Sequence, residues 1–284
     1  MMKNRAVFII SYKRAHNIET LKWLQKMGYK GKWYVVIDDK DPEIEDYKKL
    51  YGKNLCIFSK EEAEKIFDKC DNFSNTNSSC FVRNALFGVA KEHNIDSFLV
   101  LDDDYTNILY RRPKGDKLGV GYMNVGDFDK VLNICFDYLE KTPRIDCFAF
   151  SQEGDFIGGV EGYESISGKR KIMNAFFFRT DNPTSFPGKM NEDVNAYLYW
   201  GSRGKLYFTT VAATIHQALT QQVSGGMTDI YKNNGTYMKS FYSVIVAPNA
   251  VKISVIGAHS PRIHHKISWN NAVPKLIREE YKKK

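Results

Sequence analysis

An apolar strand that runs without a break into three aspartates is the feature that most constrains how this chain folds. Residues 97–101 (SFLVL) are followed directly by Asp102, Asp103 and Asp104. Adjacent carboxylates repel one another, and burial without a counter-charge drives them to protonate. The aspartates therefore belong at the rim of a sheet, with the apolar run as a buried strand behind them. Three further runs read as strands: residues 5–11 (RAVFIIS), 33–37 (WYVVI, ending in Asp38-Asp39) and 55–58. Helical patterns lie between them. Residues 18–27 carry Leu21, Leu24 and Met27 at helical spacing, with Gly28 as a stop, and 60–68 and 80–93 follow, the latter after an Asn- and Ser-rich loop. Strands separated by amphipathic helices imply βαβ units and a mostly parallel sheet.

The second half is patterned differently. Asp127 caps a helix with Phe128, Val131, Leu132, Cys135 and Leu139 on one face. Residues 146–150, a Gly-punctuated stretch after them, and 174–178 read as antiparallel strands and hairpins. A helix over 190–200 is opened by Asn191-Glu192-Asp193, and 205–215 is a further strand. Residues 217–237 contain Gly225-Gly226 and Asn233-Asn234-Gly235 and read as a long functional loop. Residues 244–256 read as two β-rich pieces, and the Lys-rich tail from Asn270 as helical.

Composition excludes several classes. With 43% hydrophobic and 26% charged residues the chain is an ordinary globular one, neither disordered nor fibrous. No apolar run approaches the roughly 18 residues needed to span a bilayer, so no membrane partner is expected. The first apolar stretch is too short for a signal sequence and meets Tyr12-Lys13-Arg14 at once, which fits a cytoplasmic location. Cys56, Cys70, Cys80, Cys135 and Cys147 are widely spread, which indicates neither a disulfide framework nor a zinc knuckle. A net charge of +8 is compatible with a polyanionic partner or with a plain solvated surface.

The aspartates suggest specific chemistry. Alternation along extended chain points Asp102 and Asp104 the same way, with Asp103 opposite. Two such carboxylates at the carboxyl end of a parallel strand can hold a hard divalent ion, Mn²⁺ or Mg²⁺, whose shell substrate phosphates and water complete. An acidic turn or helix cap is the plain alternative for an isolated pair. Here other strand ends carry complementary groups. Ser11-Tyr12-x-Arg14 offers an aromatic face and a guanidinium to a base and a diphosphate. Asp38 and Asp39 can bind a ribose hydroxyl or a base edge, and Arg83-Asn84, one turn into its helix, faces the same edge.

The ordered set "IISYKRA … VVIDD … FVRNALFGVA … FLVLDDD … NED" resembles that of nucleotide-sugar glycosyltransferases of the GT-A fold. More narrowly, with "HQALTQQVSGGMTDIYKNNGTY" and "RIHHKISW", the chain is similar to the phage TET-associated glycosyltransferases. The fold then expected is α/β: a GT-A-like, Rossmann-type mixed sheet flanked by helices, with a β-rich acceptor half. A single domain over 1–284 divides into a nucleotide-sugar-binding half (1–110) and an acceptor half (111–284). The resemblance implies a metal-dependent enzyme that moves sugar from a UDP-sugar to 5-hydroxymethylpyrimidines in phage DNA. It implies Asp102 and Asp104 as metal and diphosphate ligands, with Asp103 alongside. Asp38 and Tyr12 fall near the nucleoside and Asp193 near the acceptor hydroxyl.

Such a transfer needs a base for the acceptor hydroxyl. Glu192-Asp193 opens a helix, where N–H groups favour negative charge. Asp193 is the candidate base and Glu192 a hydrogen bonder to sugar or acceptor, with ordinary helix capping as the alternative. A base at Asp193 inverts the anomeric carbon; a retaining course needs a different arrangement and stays open. His259 or His265 could complete the metal shell, against a solvent-facing or DNA-contacting role. His216-Gln217 could meet the acceptor, and Gln221-Gln222 with Gly225-Gly226 could cover the donor. Lys169, Arg170, Lys171, Arg203, Lys205, Arg262, Lys266 and the tail lysines interleave with Tyr163, Tyr207, Tyr231, Tyr237, Tyr242 and Trp269, as a DNA-modifying enzyme requires. Two alternatives remain at this stage. One is a similar transferase acting on polysaccharide, lipid or protein; the other is a non-catalytic DNA- or nucleotide-binding protein.

Overall fold

The computed structural model describes residues 3–74, 77–115, 117–156, 171–217, 237–257 and 261–273. The apolar runs of the first half become β1 (Arg5–Ile10), β2 (Lys32–Asp38), β3 (Leu55–Phe58) and β4 (Ser97–Asp102). β1 pairs in parallel with β2 and β4, and β2 with β3. The linking helices are α1 (Glu19–Lys26), α2 (Ile44–Tyr51), α3 (Lys60–Glu64) and α4 (Ser79–Glu92). Gly28 ends α1 at a left-handed φ of 65°, a conformation that glycine adopts without strain. Alternation along β4 sorts its side chains between two cores. Phe98 and Val100 join Phe8, Phe81 and Phe87 on the α4 side, whereas Leu99 and Leu101 join Leu21 and Leu24 of α1. Asp102 keeps the parity of Val100 and so points towards α4.

The remaining elements are β5 (Tyr105–Lys114), β6 (Lys117–Tyr122), α5 (Asp127–Lys141), β7 (Cys147–Gln152), β8 (Phe176–Arg179), α6 (Glu192–Ser202), β9 (Tyr207–Gln217), α7 (Met238–Val246), β10 (Val251–Ile256) and β11 (Arg262–Ile267). Both halves contribute to one nine-stranded sheet, ordered β3-β2-β1-β4-β8-β7-β9-β5-β6. β8 runs antiparallel to β4 and β7, β9 parallel to β7, and β5 antiparallel to β9 and β6. The expected α/β architecture, a mixed sheet flanked by helices, is the one observed. Among the described residues no helix is long and apolar enough to cross a membrane.

The connection between β4 and β5 shapes the sheet. Only Asp103 and Asp104 join these strands, although they stand four places apart in strand order. Four strand spacings in a flat sheet cover roughly 19 Å. The three Cα steps from Asp102 to Tyr105 reach at most about 11 Å. The sheet therefore curls until the start of β5 returns beside the end of β4. α1 holds the junction: Thr20 Oγ1 donates to Asp102 O at 2.5 Å and accepts from Tyr105 N at 2.9 Å, and Trp23 Nε1 donates to Asn107 Oδ1 at 3.0 Å.

Some elements depart from the sequence reading. Residues 244–256 do not form two β-rich pieces: the first belongs to α7, and only β10 is a strand. A short β-branched run such as Val244-Ile245-Val246 fits either state, and packing decides. As a helix, the segment buries Ser240, Tyr242 and Ser243, and Ser243 Oγ donates to Asn195 Oδ1 at 2.9 Å. Asp127 is the first residue of α5 rather than its cap; Gly126, at φ 81°, precedes it. The β5–β6 hairpin and α2 have no counterpart in the sequence reading. The Gly-punctuated stretch, most of the 217–237 loop and most of the tail lie outside the described residues.

Candidate active site

β4 ends at Asp102, and Asp103 and Asp104 form the turn, so the alternation expected along Asp102–Asp104 stops after its first residue. Asp103 is 6% exposed. Its carboxylate accepts from Ser11 Oγ at 2.7 Å and pairs with the Arg14 guanidinium. Tyr47 Oη closes the same knot, hydrogen-bonded to Ser11 Oγ at 2.8 Å and accepting from Arg14 N at 3.0 Å. Lys13 takes a left-handed φ of 55°, and its N–H donates to Asp41 Oδ2 at 2.9 Å. The Ser11–Arg14 loop is thus wound tightly against the acidic turn. Burial pushes the Asp103 carboxyl up, against the pull of Arg14 and Ser11.

Asp104 is the less compensated group. Burial first, then the charges of Asp102 and Asp103, raise its carboxyl to about 7, with Arg14 opposing. Beside it, Tyr105 Oη is buried and has no hydrogen-bond partner among the described residues. Its phenol is driven far up by burial and by the Asp102 and Asp104 charges. The Asp104 carboxylate, crowded by two neighbouring acids and opposed by Arg14, offers with Asp102 the hard oxygen donors that a divalent cation takes. Asp102 and Asp104 therefore fit a divalent cation.

On the other side of Asp102 lies Arg83, 3% exposed. One guanidinium nitrogen donates to Glu192 Oε1 at 2.5 Å and the other to Asp102 Oδ1 at 3.2 Å, while Nε has no partner among the described residues. Although burial opposes its charge, Glu192, Asp102 and Asp193 hold the guanidinium protonated. Glu192 also accepts from Ser79 Oγ. Burial, then the Glu192 charge, raises the Asp193 carboxyl to about 6, with Arg83 opposing. Asn191 does not cap α6. It sits at φ 55° with no capping bond, and its amide instead reaches Lys239 O and Ser243 Oγ, both at 3.1 Å, and His265 Nδ1 at 3.2 Å.

At the end of β2, Asp38 is 7% exposed and pairs with buried Lys60 at 3.2 Å. Asp39 is exposed and accepts from Lys60 N at 3.0 Å. The half-buried Tyr12 ring lies between Lys13 Nζ, 5.1 Å from its centroid, and Lys60 Nζ at 5.4 Å.

The structure gathers Ser11, Arg14, Asp102, Asp103, Arg83 and Glu192 into one connected set, with Asp104 and Asp193 adjoining. Asn84 stands apart: its amide bonds to Cys80 O, Phe186 O and Phe186 N tie α4 to the segment between β8 and α6. His265 faces Asn191. Among the described residues no three His, Cys, Asp or Glu side chains converge as a metal cage, and the contact of His265 is with Asn191. His259 lies outside the described residues, as do Gln221, Gln222, Lys169, Arg170, Tyr163 and Tyr231. His216 bonds Thr106 Oγ1 at 2.8 Å, at the start of β5. Tyr47, Lys60 and Tyr105 were not legible as site residues. Each is an ordinary core or surface type whose role appears only when distant segments meet.

The profile of the TET-Associated Glycosyltransferase family matches residues 5–226. No curated protein matches the chain. Among solved structures, glucosyl-3-phosphoglycerate synthase from Mycobacterium tuberculosis, in complex with Mn²⁺ and UDP-glucose, is 8% identical. The match covers 93% of this chain and 87% of that one, with a TM-score of 0.48. A mannosyltransferase from Pyrobaculum calidifontis, with GDP-mannose and Mn²⁺, is 11% identical over 87% of this chain and 73% of that one, at a TM-score of 0.47. Since the matched profile spans most of the sequence and includes every member of the connected acidic set, the chain belongs to the TET-associated glycosyltransferase family.

Proposed function

We propose that this glycosyltransferase moves a sugar from a UDP-sugar to the hydroxymethyl group of 5-hydroxymethylpyrimidines in DNA, with a divalent cation at Asp102 and Asp104. The observation that carries the reading is Arg83, whose single buried guanidinium grips Asp102 at the end of β4 and Glu192 at the start of α6. That bridge links a diphosphate-binding edge to a carboxylate pair fit for an acceptor. Tyr12 offers its ring to the base and the Asp38–Lys60 pair a polar edge to the ribose. The acceptor class is the one that the resemblance to this family implies.

When bound, the cation would neutralise charge on the departing diphosphate. Arg14 and Arg83 hold the carboxylates in place and add positive charge at the same edge. Asp193 takes the proton of the acceptor hydroxyl as its oxygen attacks the anomeric carbon and the bond to UDP breaks, which inverts that centre. Its raised affinity for protons suits a base that must take one up near neutrality.

Incubation with a panel of UDP-sugars, Mn²⁺ and DNA containing hydroxymethylcytosine or hydroxymethyluracil tests the reading by nucleoside mass spectrometry. A hexose or pentose mass gain on the modified base is expected. UDP-sugar hydrolysis without any gain would remove DNA as acceptor. The base has its own test. Asp193→Asn is expected to lower kcat about 10²- to 10⁴-fold. In the wild type, kcat/KM should fall tenfold per pH unit below an inflection near 6, because protonated Asp193 accepts nothing. An unchanged profile in Asp193→Asn would assign the base elsewhere.

A further inference from the structure

We propose that the β10–β11 ribbon is the element that grips the acceptor DNA, its face bearing Lys252, Arg262, His264 and Lys266 lying along the phosphodiester backbone beside the Glu192-Asp193 pair. The inference rests on the DNA-acceptor reading above. The ribbon forms a separate two-stranded antiparallel sheet, with Lys252 opposite Lys266, Ile253 opposite His265, Ser254 opposite His264 and Ile256 opposite Arg262. Directly opposed residues share a face. One face therefore carries Val251, Ile267 and His265; Val251 is 2% exposed in the core, and His265 meets Asn191. The other face turns Lys252, Arg262 and Lys266 to solvent.

Two observations single this face out. Lysines directly opposed across a ladder repel, and among the described residues none of Lys252, Arg262 and Lys266 has a carboxylate partner. Lys48, Lys65 and Lys141, on helices or at their ends, instead pair with Glu45, Glu62 and Asp137. The sequence enforces the difference, because no Asp or Glu occurs between Asp229 and Glu279. A ribbon kept free of acidic residues and stacked with like charge is complementary to a polyanion, and a two-stranded ribbon fits the major groove, where a 5-hydroxymethyl group projects.

The ribbon is also coupled to the chemistry. Asn191, which contacts His265 on the reverse face, immediately precedes Glu192 and Asp193. Lys239 on α7 is within electrostatic reach of both Asp193 and Arg262. The ribbon proposed to hold the phosphates is thus packed, through its reverse face, on the segment that opens with the carboxylates proposed to meet the acceptor hydroxyl.

The test is the salt dependence of binding, by fluorescence anisotropy, between the full chain and a duplex containing hydroxymethylcytosine. Each lost phosphate contact lowers the slope of log K against log salt by about 0.9, so K252A/R262A/K266A should lose between about 2 and 3 from it. K252R/K266R should keep the wild-type slope. Removing three paired lysines elsewhere, K48A/K65A/K141A, should leave the slope in place, which separates this face from net charge. A K252A/R262A/K266A variant with the wild-type slope would overturn the proposal. If the wild type binds no DNA, the acceptor reading falls and this one with it. A ribbon-dependent slope without sugar transfer to hydroxymethylated DNA would sink the acceptor reading alone and leave the ribbon as a DNA surface.

Discussion

Replacing Asp102 and Asp104 together by asparagine is expected to reduce sugar transfer about a thousandfold or more, the equivalent of roughly 4 kcal/mol of lost stabilisation of the departing diphosphate. Asparagine keeps the size and one oxygen of each side chain but not its charge. The structure also predicts what the substitution spares. Asp104 is raised by burial and by its acidic neighbours, so neutralising it relieves repulsion in the metal-free protein. Asp104→Asn alone should therefore melt at or above the wild-type temperature, whereas the double variant, which also takes one partner from Arg83, should lose Mn²⁺ binding in titration calorimetry. Activity that survives in this variant would remove the acidic turn from the centre of the mechanism. A large fall in the melting temperature of Asp104→Asn would mean that its carboxylate serves the fold.

Arg83→Ala should have the opposite signature, a loss of both stability and activity. The guanidinium is 3% exposed and bonds Glu192 and Asp102, so its removal leaves a buried carboxylate without its counter-charge. Breaking a buried pair from one side costs about 3 to 5 kcal/mol. For a chain of this size that lowers Tm by roughly 6 to 20 °C. Arg83→Lys keeps the charge but not the fork that reaches two carboxylates at once. It should recover much of the stability while kcat stays low, read by calorimetry alongside steady-state kinetics. Equal activity in Arg83→Lys and wild type would mean that the bridge acts through charge alone.

Much of the first half was legible because its strands announce themselves twice, by apolar runs and by the polar residues that end them. The SFLVL-DDD junction located a sheet rim, and Ser11, Arg14, Asp102, Asp103, Arg83 and Glu192 do meet there. The finer geometry was not legible. Alternation assigns Asp102 and Asp104 to one side only if the strand continues, and here a turn begins at Asp103. The knot around Ser11 needs Tyr47, from a helix with no marked pattern, and Asp38 finds Lys60 rather than standing open. Val244-Ile245-Val246 shows the limit for the fold: three β-branched residues favour a strand locally, but Ser243 and Tyr242 have partners only if the segment is helical. Asn191, a natural cap by type, gives its amide to α7 and β11. Its role was set by a neighbour that sequence spacing does not reveal.

The acidic turn has a mechanical consequence. Two residues carry the chain between strands four places apart, so the curvature of the sheet and the separation of the Asp102, Asp103 and Asp104 carboxylates are one degree of freedom rather than two. Flattening the sheet stretches the turn and spreads the charges; drawing the charges together tightens the curl. The spacing of the three aspartates is therefore tied to the bend of the whole sheet, and selection on either tunes the other.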